Sequence, residues 1–231
     1  MRSISRKEKK FLVDVASAKK LEGALAGVLA PDPHNGSRGY PIRSLYFDTL
    51  HDRDFAEKVF GTDPRRKVRL RLYDPLADFA LLELKQKQGE NQLKRSLPLN
   101  HAEACRLIAG DYDVLRGRPE PFAAEMHALM SINGYRPKAI VEYDRTAFIA
   151  KENKTRITFD RSIRATEVNM DVFDPKLCMY PVFDPFNVVL EVKFDGFLLS
   201  YVRAVLNMAD KSELSVSKYC LARSMRMSYQ F

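Results

Sequence analysis

The stretch Arg65 to Asp74, RRKVRLRLYD, alternates with a period of two: Lys67, Arg69, Arg71 and Tyr73 fall on one side, Val68, Leu70 and Leu72 on the other. Successive side chains of a β-strand point to opposite faces, so the pattern predicts a strand with one apolar face and one face of stacked cations. Like charges repel along such a face. The cations must be solvated, paired with carboxylates or held for an anionic ligand.

The same period recurs along the chain. Glu83, Lys85 and Lys87 oppose Leu82 and Leu84; Arg156, Thr158 and Asp160 oppose Ile157, Phe159 and Ile163; Glu191 and Lys193 oppose Leu190, Val192 and Phe194; Arg6, Glu8 and Lys10 oppose Phe11 and Val13. Alternation, β-branched content and turn flanks predict eight strands, over residues 6 to 13, 43 to 48, 66 to 74, 80 to 87, 93 to 99, 138 to 149, 155 to 163 and 187 to 194. The QGENQ segment, 88 to 92, reads as a hairpin turn.

Apolar stripes at helical spacing place helices over 18 to 29 and 197 to 209, with another opening at the prolines of PEPFAAEMHALMSING. A further helix follows Asn100, which can cap with Glu103 and stop at Gly110. Loops fall at 31 to 41, 110 to 121 and 171 to 185. This order predicts an α+β fold: an eight-stranded antiparallel β-barrel forming a tunnel, with supporting helices, in a single domain over residues 1–231. If the sheet closes, the apolar faces lie outside under the helices and the charged faces line the lumen.

Composition narrows the partner. With 38 Lys and Arg against 30 Asp and Glu the net charge is +8, and the pI near 9.3 points to an anion. No apolar run reaches signal-peptide or membrane-span length, which predicts a soluble cytoplasmic protein. Cys105, Cys178 and Cys220 are widely spaced and read as buried free thiols; no histidine accompanies a nucleophile motif. Cations outnumber carboxylates on the alternating faces, and guanidinium and ammonium groups suit phosphate oxygens. Among those cations, Glu8, Glu83 and Glu191 are either salt-bridge partners or ligands for a hard divalent cation such as Mg²⁺ or Mn²⁺.

The segments RKEKKFLV, SLYFDT, KVRLRLYD, LLELKQK, VEYDRTAF, RITFDR, VVLEVKF and SKYCLARSM, in that order, resemble the VTC domain. This is the polyphosphate polymerase domain of the vacuolar transporter chaperone, within the triphosphate tunnel metalloenzymes. The resemblance implies a basic tunnel for a triphosphate or polyphosphate chain, with a divalent metal at a glutamate. It assigns catalytic contacts to Arg69, Arg71, Lys85, Arg145 and Arg156, and phosphate binding to Lys10, Lys94, Tyr143, Lys193, Ser217 and Lys218. Glu191 becomes the metal ligand, with Glu8 and Glu83 as further candidates. Many members of the wider group open with Glu-x-Glu-x-Lys; here Arg6 stands at the first glutamate, which places the chain nearer the VTC branch.

The activity this implies is polyphosphate polymerisation, with the γ-phosphate of ATP passing to a growing chain and ADP leaving. A metal-dependent tripolyphosphatase or nucleoside triphosphatase would use the same residues with water as acceptor. A non-catalytic polyphosphate- or RNA-binding module is the third reading, with Tyr46, Tyr73 and Tyr143 available to stack bases. Duplex nucleic acid is disfavoured, because the cations alternate with core residues instead of clustering on an exposed helix. No GxxxxGK[ST] is present, and any membrane coupling would need a separate membrane partner.

Overall fold

A computed structural model describes residues 6–37, 39–89, 91–215 and 217–227, with side chains through residue 224 and none for Arg6. Glu90 of the QGENQ segment and the Arg6 side chain lie outside the described set. The chain divides into two compact units, one of Met1–Pro41, Tyr143–Ile163 and Pro181–Val216, the other of Ile42–Glu142, Arg164–Tyr180 and Ser217–Phe231.

The first unit begins with β1 (Arg6–Asp14), α1 (Val15–Ala26) and the two-residue β2 (Ala30–Pro31). The second opens on most of β3 (Tyr40–Asp48), then α2 (Arg53–Val59), β4 (Arg65–Leu72), β5 (Phe79–Gln88), β6 (Asn91–Asn100), α3 (His101–Ile108) and α4 (Pro121–Ile132). Two long strands, β7 (Arg136–Ile149) and β8 (Arg156–Thr166), contribute residues to both units. After them come β9 (Tyr180–Pro181), β10 (Asn187–Asp195), α5 (Ser200–Leu206), β11 (Ser212–Glu213) and α6 (Lys218–Met227).

All eight expected strands are present, each within a few residues of its predicted span. Closure is not. The ladder order is β11-β1-β10-β8-β7-β3-β4-β5-β6, nine strands, with the two-residue β2 on β7 and β9 on β8 making eleven, and among the described residues no pairing joins its two ends. The expected eight-stranded closed barrel is therefore corrected to an open antiparallel sheet. The two ends explain why each stays unpaired. β6 carries Pro98, which has no N–H to donate, beside the exposed Lys94 and the half-buried Arg95, and β11 is only two residues long.

Each unit packs its own apolar face. In the first, Val13, Ile157, Phe159, Leu190 and Val192 meet Leu21 and Leu25 of α1 and Val202 and Leu206 of α5. In the second, Leu45, Val68, Leu70, Leu82 and Leu84 meet Leu107 of α3 and Met126 and Met130 of α4. Burying each such side chain stabilises the fold by about 2 kcal/mol. A slip of one residue would turn the whole apolar set outward, so the core pins the register and hence the opposite face.

Helix ends follow local chemistry. Asp14 accepts from Ser17 N at 2.8 Å and starts α1 three residues before the predicted 18. Asn100 and Glu103 form the expected reciprocal capping box on α3, with Gly110 at φ +89° just beyond the helix. The helix expected over 197 to 209 spans only Ser200–Leu206. The pattern reading missed α2, whose first N–H groups are capped by buried Asp48 at the end of β3: Asp54 N and Phe55 N both donate to it at 2.9 Å. The thiols are free but not buried as expected: Cys105 is exposed on α3, whose buried residues are Ala104 and Leu107, Cys178 is exposed in the loop before β9, and Cys220 of α6 is half-buried.

Candidate functional site

In the second unit the pairing of β3, β4, β5 and β6 sets the charged face residue by residue. Arg69 lies opposite Glu83 on β5 and opposite Tyr46 on β3, while Arg71 lies opposite Ser44. Glu83 is fully buried. Its Oε2 accepts from Arg69 Nε at 2.7 Å, its Oε1 accepts from Lys94 Nζ at 2.6 Å, and Arg71 Nε stands 3.9 Å from Oε2. Arg71 also donates to Ser44 Oγ at 3.2 Å, and Arg69 Nη1 to Tyr46 OH at 3.3 Å. Burial pushes the Glu83 carboxyl up, but the charges of Arg69, Arg71 and Lys94 outweigh it and bring the pKa down to about 2.

The next row holds three lysines directly across from one another, Lys67, Lys85 and Lys94. Beyond it Arg65 faces Lys87. On β4, β5 and β6 this face therefore carries Arg65, Lys67, Arg69, Arg71, Lys85, Lys87 and Lys94 against the single carboxylate of Glu83. Adjacent like charges are unfavourable, and a bound anion would relieve them.

Helix α6 abuts this face. Lys67 Nζ donates to Ser217 Oγ at 2.7 Å, and Cys220 N donates to the same oxygen at 3.3 Å, so the hydroxyl caps α6 and receives a lysine. Lys218, half-buried, is the first residue of the helix. Tyr219 anchors it: its OH donates to Asp48 Oδ2 at 2.7 Å and its ring stacks on Tyr46 with centroids 5.1 Å apart. Arg223 adds donations to Glu167 and Asp52, each at 2.6 Å.

In the first unit the charges alternate in sign. Lys10 pairs across the ladder with Glu191, and Glu8 with Lys193. Lys10 Nζ is 3.2 Å from Glu8 Oε1 and 3.5 Å from Glu191 Oε2; Lys193 contacts Glu191 closely and Glu8 at 3.8 Å. Burial lowers the Lys10 pKa, but Glu191 and Glu8 more than offset this and leave it raised. Arg145 grips Asp160 with two parallel bonds of 2.6 and 2.8 Å. Burial disfavours that guanidinium's charge, yet Asp160 holds its pKa well above the ordinary value. Its plane stands 5.3 Å from the ring centroid of buried Tyr143. Arg156 Nη2 reaches Asp32 Oδ2 at 2.5 Å and donates to Tyr40 OH at 2.9 Å.

The structure thus gathers Arg69, Arg71, Lys85, Lys94, Glu83, Ser217 and Lys218 in one unit. Lys10, Glu8, Glu191, Lys193, Tyr143, Arg145 and Arg156 belong to the other. Sequence reasoning overlooked Ser44, Tyr40 and Asp32, and offered Tyr46 for base stacking where the structure makes it a partner of Arg69. Ser44 and Tyr46 alternate with Leu45 and Phe47 and were legible by the same period of two. Asp32 was not, because it sits in a loop that periodicity does not order.

The two faces differ as hosts for a divalent cation. Glu83 has both oxygens engaged by cations and is a salt-bridge partner here. Among the described residues no group of three or more His, Cys, Asp or Glu is arranged to hold a metal. Glu8 and Glu191 offer hard oxygen donors within reach of the same two lysines. A pair of carboxylates fits Mg²⁺ or Mn²⁺ when phosphate oxygens and water complete the shell.

A model of the VTC domain matches residues 5–226. Among solved structures, a candidate adenylate cyclase from Bacillus halodurans aligns at a TM-score of 0.50 and 14% identity over 89% of each chain, a likeness of fold. A second candidate adenylate cyclase, from Vibrio parahaemolyticus, gives 0.46 at 10% identity over 90% of this chain and 85% of that one. A Pyrococcus horikoshii OT3 protein gives 0.45 at 11% identity over 95% of this chain and 100% of its own. No curated protein matches the chain.

Proposed function

The chain belongs to the VTC domain family, and we propose that it binds ATP, triphosphate or polyphosphate on its cation-rich strand faces and transfers phosphoryl groups as a polyphosphate polymerase. The observation that carries this reading is the charge imbalance on β4, β5 and β6, where the Lys67, Lys85 and Lys94 row and the Arg69 and Arg71 forks share one carboxylate. A phosphate chain carries negative charge on every unit, and its oxygens would accept from the ammonium groups of this row and from the guanidinium forks beside it.

In phosphoryl transfer, catalysis rests on positioning and on neutralising charge on the phosphoryl oxygens. Arg69 and Arg71 would clamp neighbouring phosphates; Glu83 and Tyr46 hold the Arg69 guanidinium in place, while Ser44 steadies Arg71. Lys85 and Lys94 would meet the next phosphate, and Ser217 and Lys218 would approach from the start of α6. Arg145, fixed by Asp160, and Arg156, fixed by Asp32, would serve the same purpose on their own face, with Lys10, Lys193 and Tyr143 beside them. Glu191 and Glu8 would hold a divalent cation, which when bound would supply charge neutralisation to the phosphate oxygens.

The test is ³¹P NMR of ATP incubated with the protein and Mn²⁺ or Mg²⁺. Polymerase activity yields ADP and long-chain polyphosphate, and both Arg69→Ala and Glu191→Gln lower the rate at least tenfold. Orthophosphate as the sole new phosphate product would make the protein a hydrolase. Full activity in both variants would overturn the residue assignment.

A further inference from the structure

A cleft of about 440 Å³ lies in the first unit, on the side of β1 opposite Glu8 and Lys10. Its floor is Phe11, Val192 and Phe194, and Phe197 and Leu206 stand at its wall. Lys7 and Lys9 occupy positions on β1 that the period of two assigns to the apolar face, opposite Phe194 and Val192. They project beyond the cover of α1 and α5 and are exposed, as is Arg203 of α5. Among the described residues none of these three has an ion pair, and no Asp or Glu lines the cleft.

The fourth cation is committed. Lys211 Nζ donates to Leu206 O at 2.8 Å and to Asn207 Oδ1 at 3.1 Å, and stands 5.7 Å over the Phe11 ring. The Asn207 side chain keeps its NH₂ as a donor toward a ligand. Phe197 remains 65% exposed in the turn after β10. An aromatic ring left in water beside a guanidinium and two ammonium groups has the features of a site for a flat apolar body joined to an anion.

We propose that this cleft binds a nucleoside phosphate, with the base against Phe197 and Arg203, its edge at the Asn207 amide and its phosphate on Lys7 and Lys9. Inorganic polyphosphate would gain nothing from the phenyl floor. A purely aliphatic anion would forgo the planar guanidinium and the amide. The cleft does not share residues with the strand faces assigned above to phosphate transfer, so the two readings stand or fall separately.

The experiment is titration of the full chain with AMP, followed by calorimetry and by the amide NMR signals of residues 194–198. AMP should shift those signals and bind more tightly than adenosine or inorganic phosphate. The double variant Lys7→Ala, Lys9→Ala should weaken AMP at least tenfold and Phe197→Ala about tenfold, in line with the loss of one stacked base. Arg69→Ala, in the other unit, should leave these shifts in place. Signals of 194–198 that stay unmoved in the folded protein, an unchanged affinity in the Lys7, Lys9 double variant, or octanoate binding as tightly as AMP would each overturn the assignment.

Discussion

Arg69 and Glu83 face one another across β4 and β5, with the guanidinium Nε 2.7 Å from a carboxylate that has no exposure to solvent. Lys94 takes the other oxygen. The carboxylate is the one negative group among the seven cations on this face of β4, β5 and β6, so it holds the basic face together.

Replacing it should therefore cost stability and alter phosphate response together. Glu83→Gln removes the charge that Arg69 and Lys94 share, and breaking a buried ion pair in this way costs about 3 kcal/mol. Urea denaturation should show that loss, and added tripolyphosphate should restore more stability to the variant than to the wild type. Equal stabilisation of both proteins would separate Glu83 from the phosphate face.

Two buried carboxyls give the stability profile opposite slopes. Glu83 is depressed from 4.5 to about 2, so its contribution, about 3 kcal/mol, is present above pH 4.5 and lost as the pH falls toward 2. Asp54 is raised from 3.8 to about 7 by burial and by Asp48, against the hydrogen bond from Tyr135 and the charge of Arg66. The folded state holds that proton where the unfolded chain has released it. Stability on the order of 4 kcal/mol is accordingly lost as the pH rises from about 4 to about 7. Urea midpoints at pH 4.5 and pH 7.5 should differ, and Asp54→Asn should narrow the difference.

Gly39 approaches the backbone of Arg145. At φ +88°, a Cβ there would stand 2.3 Å from the Arg145 carbonyl oxygen. The neighbour is backbone and cannot swing aside, so Gly39→Ala should destabilise by more than about 2 kcal/mol and displace the Arg145 fork from Asp160. Thermal denaturation measures the first effect. The second should appear as altered NMR signals of the Arg145 guanidinium.

Tyr219→Phe removes the hydroxyl that donates to buried Asp48 while keeping the ring on Tyr46. A loss of about 1 to 2 kcal/mol is expected, since Asp48 retains its backbone donors Thr49, Asp54 and Phe55. Hydrogen exchange should report faster opening of α6 than of β4. Unchanged protection of α6 would show that stacking alone holds it.

The period of two alone places Val68, Leu70, Leu82, Leu84, Leu190 and Val192 on a buried face and Arg69, Arg71, Lys85, Glu191 and Lys193 on the other, because side-chain direction along a strand is local geometry. The capping box of Asn100 and Glu103 was legible for the same reason. Partnership was not. Alternation assigns a side but no opposite number, so only the ladder register decides that Arg69 meets Glu83, that Lys67, Lys85 and Lys94 share a row, and that Lys10 sits between two glutamates. The long-range hydrogen bonds also decide that the ladder stays open, with Pro98 at one end and a two-residue strand at the other. Lys7 and Lys9, which break the apolar alternation of β1, gain meaning only where the helices that cover their neighbours stop short. Burial, which makes Glu83 a held carboxylate instead of a surface one, arises from packing between segments distant in the chain and has no local signature.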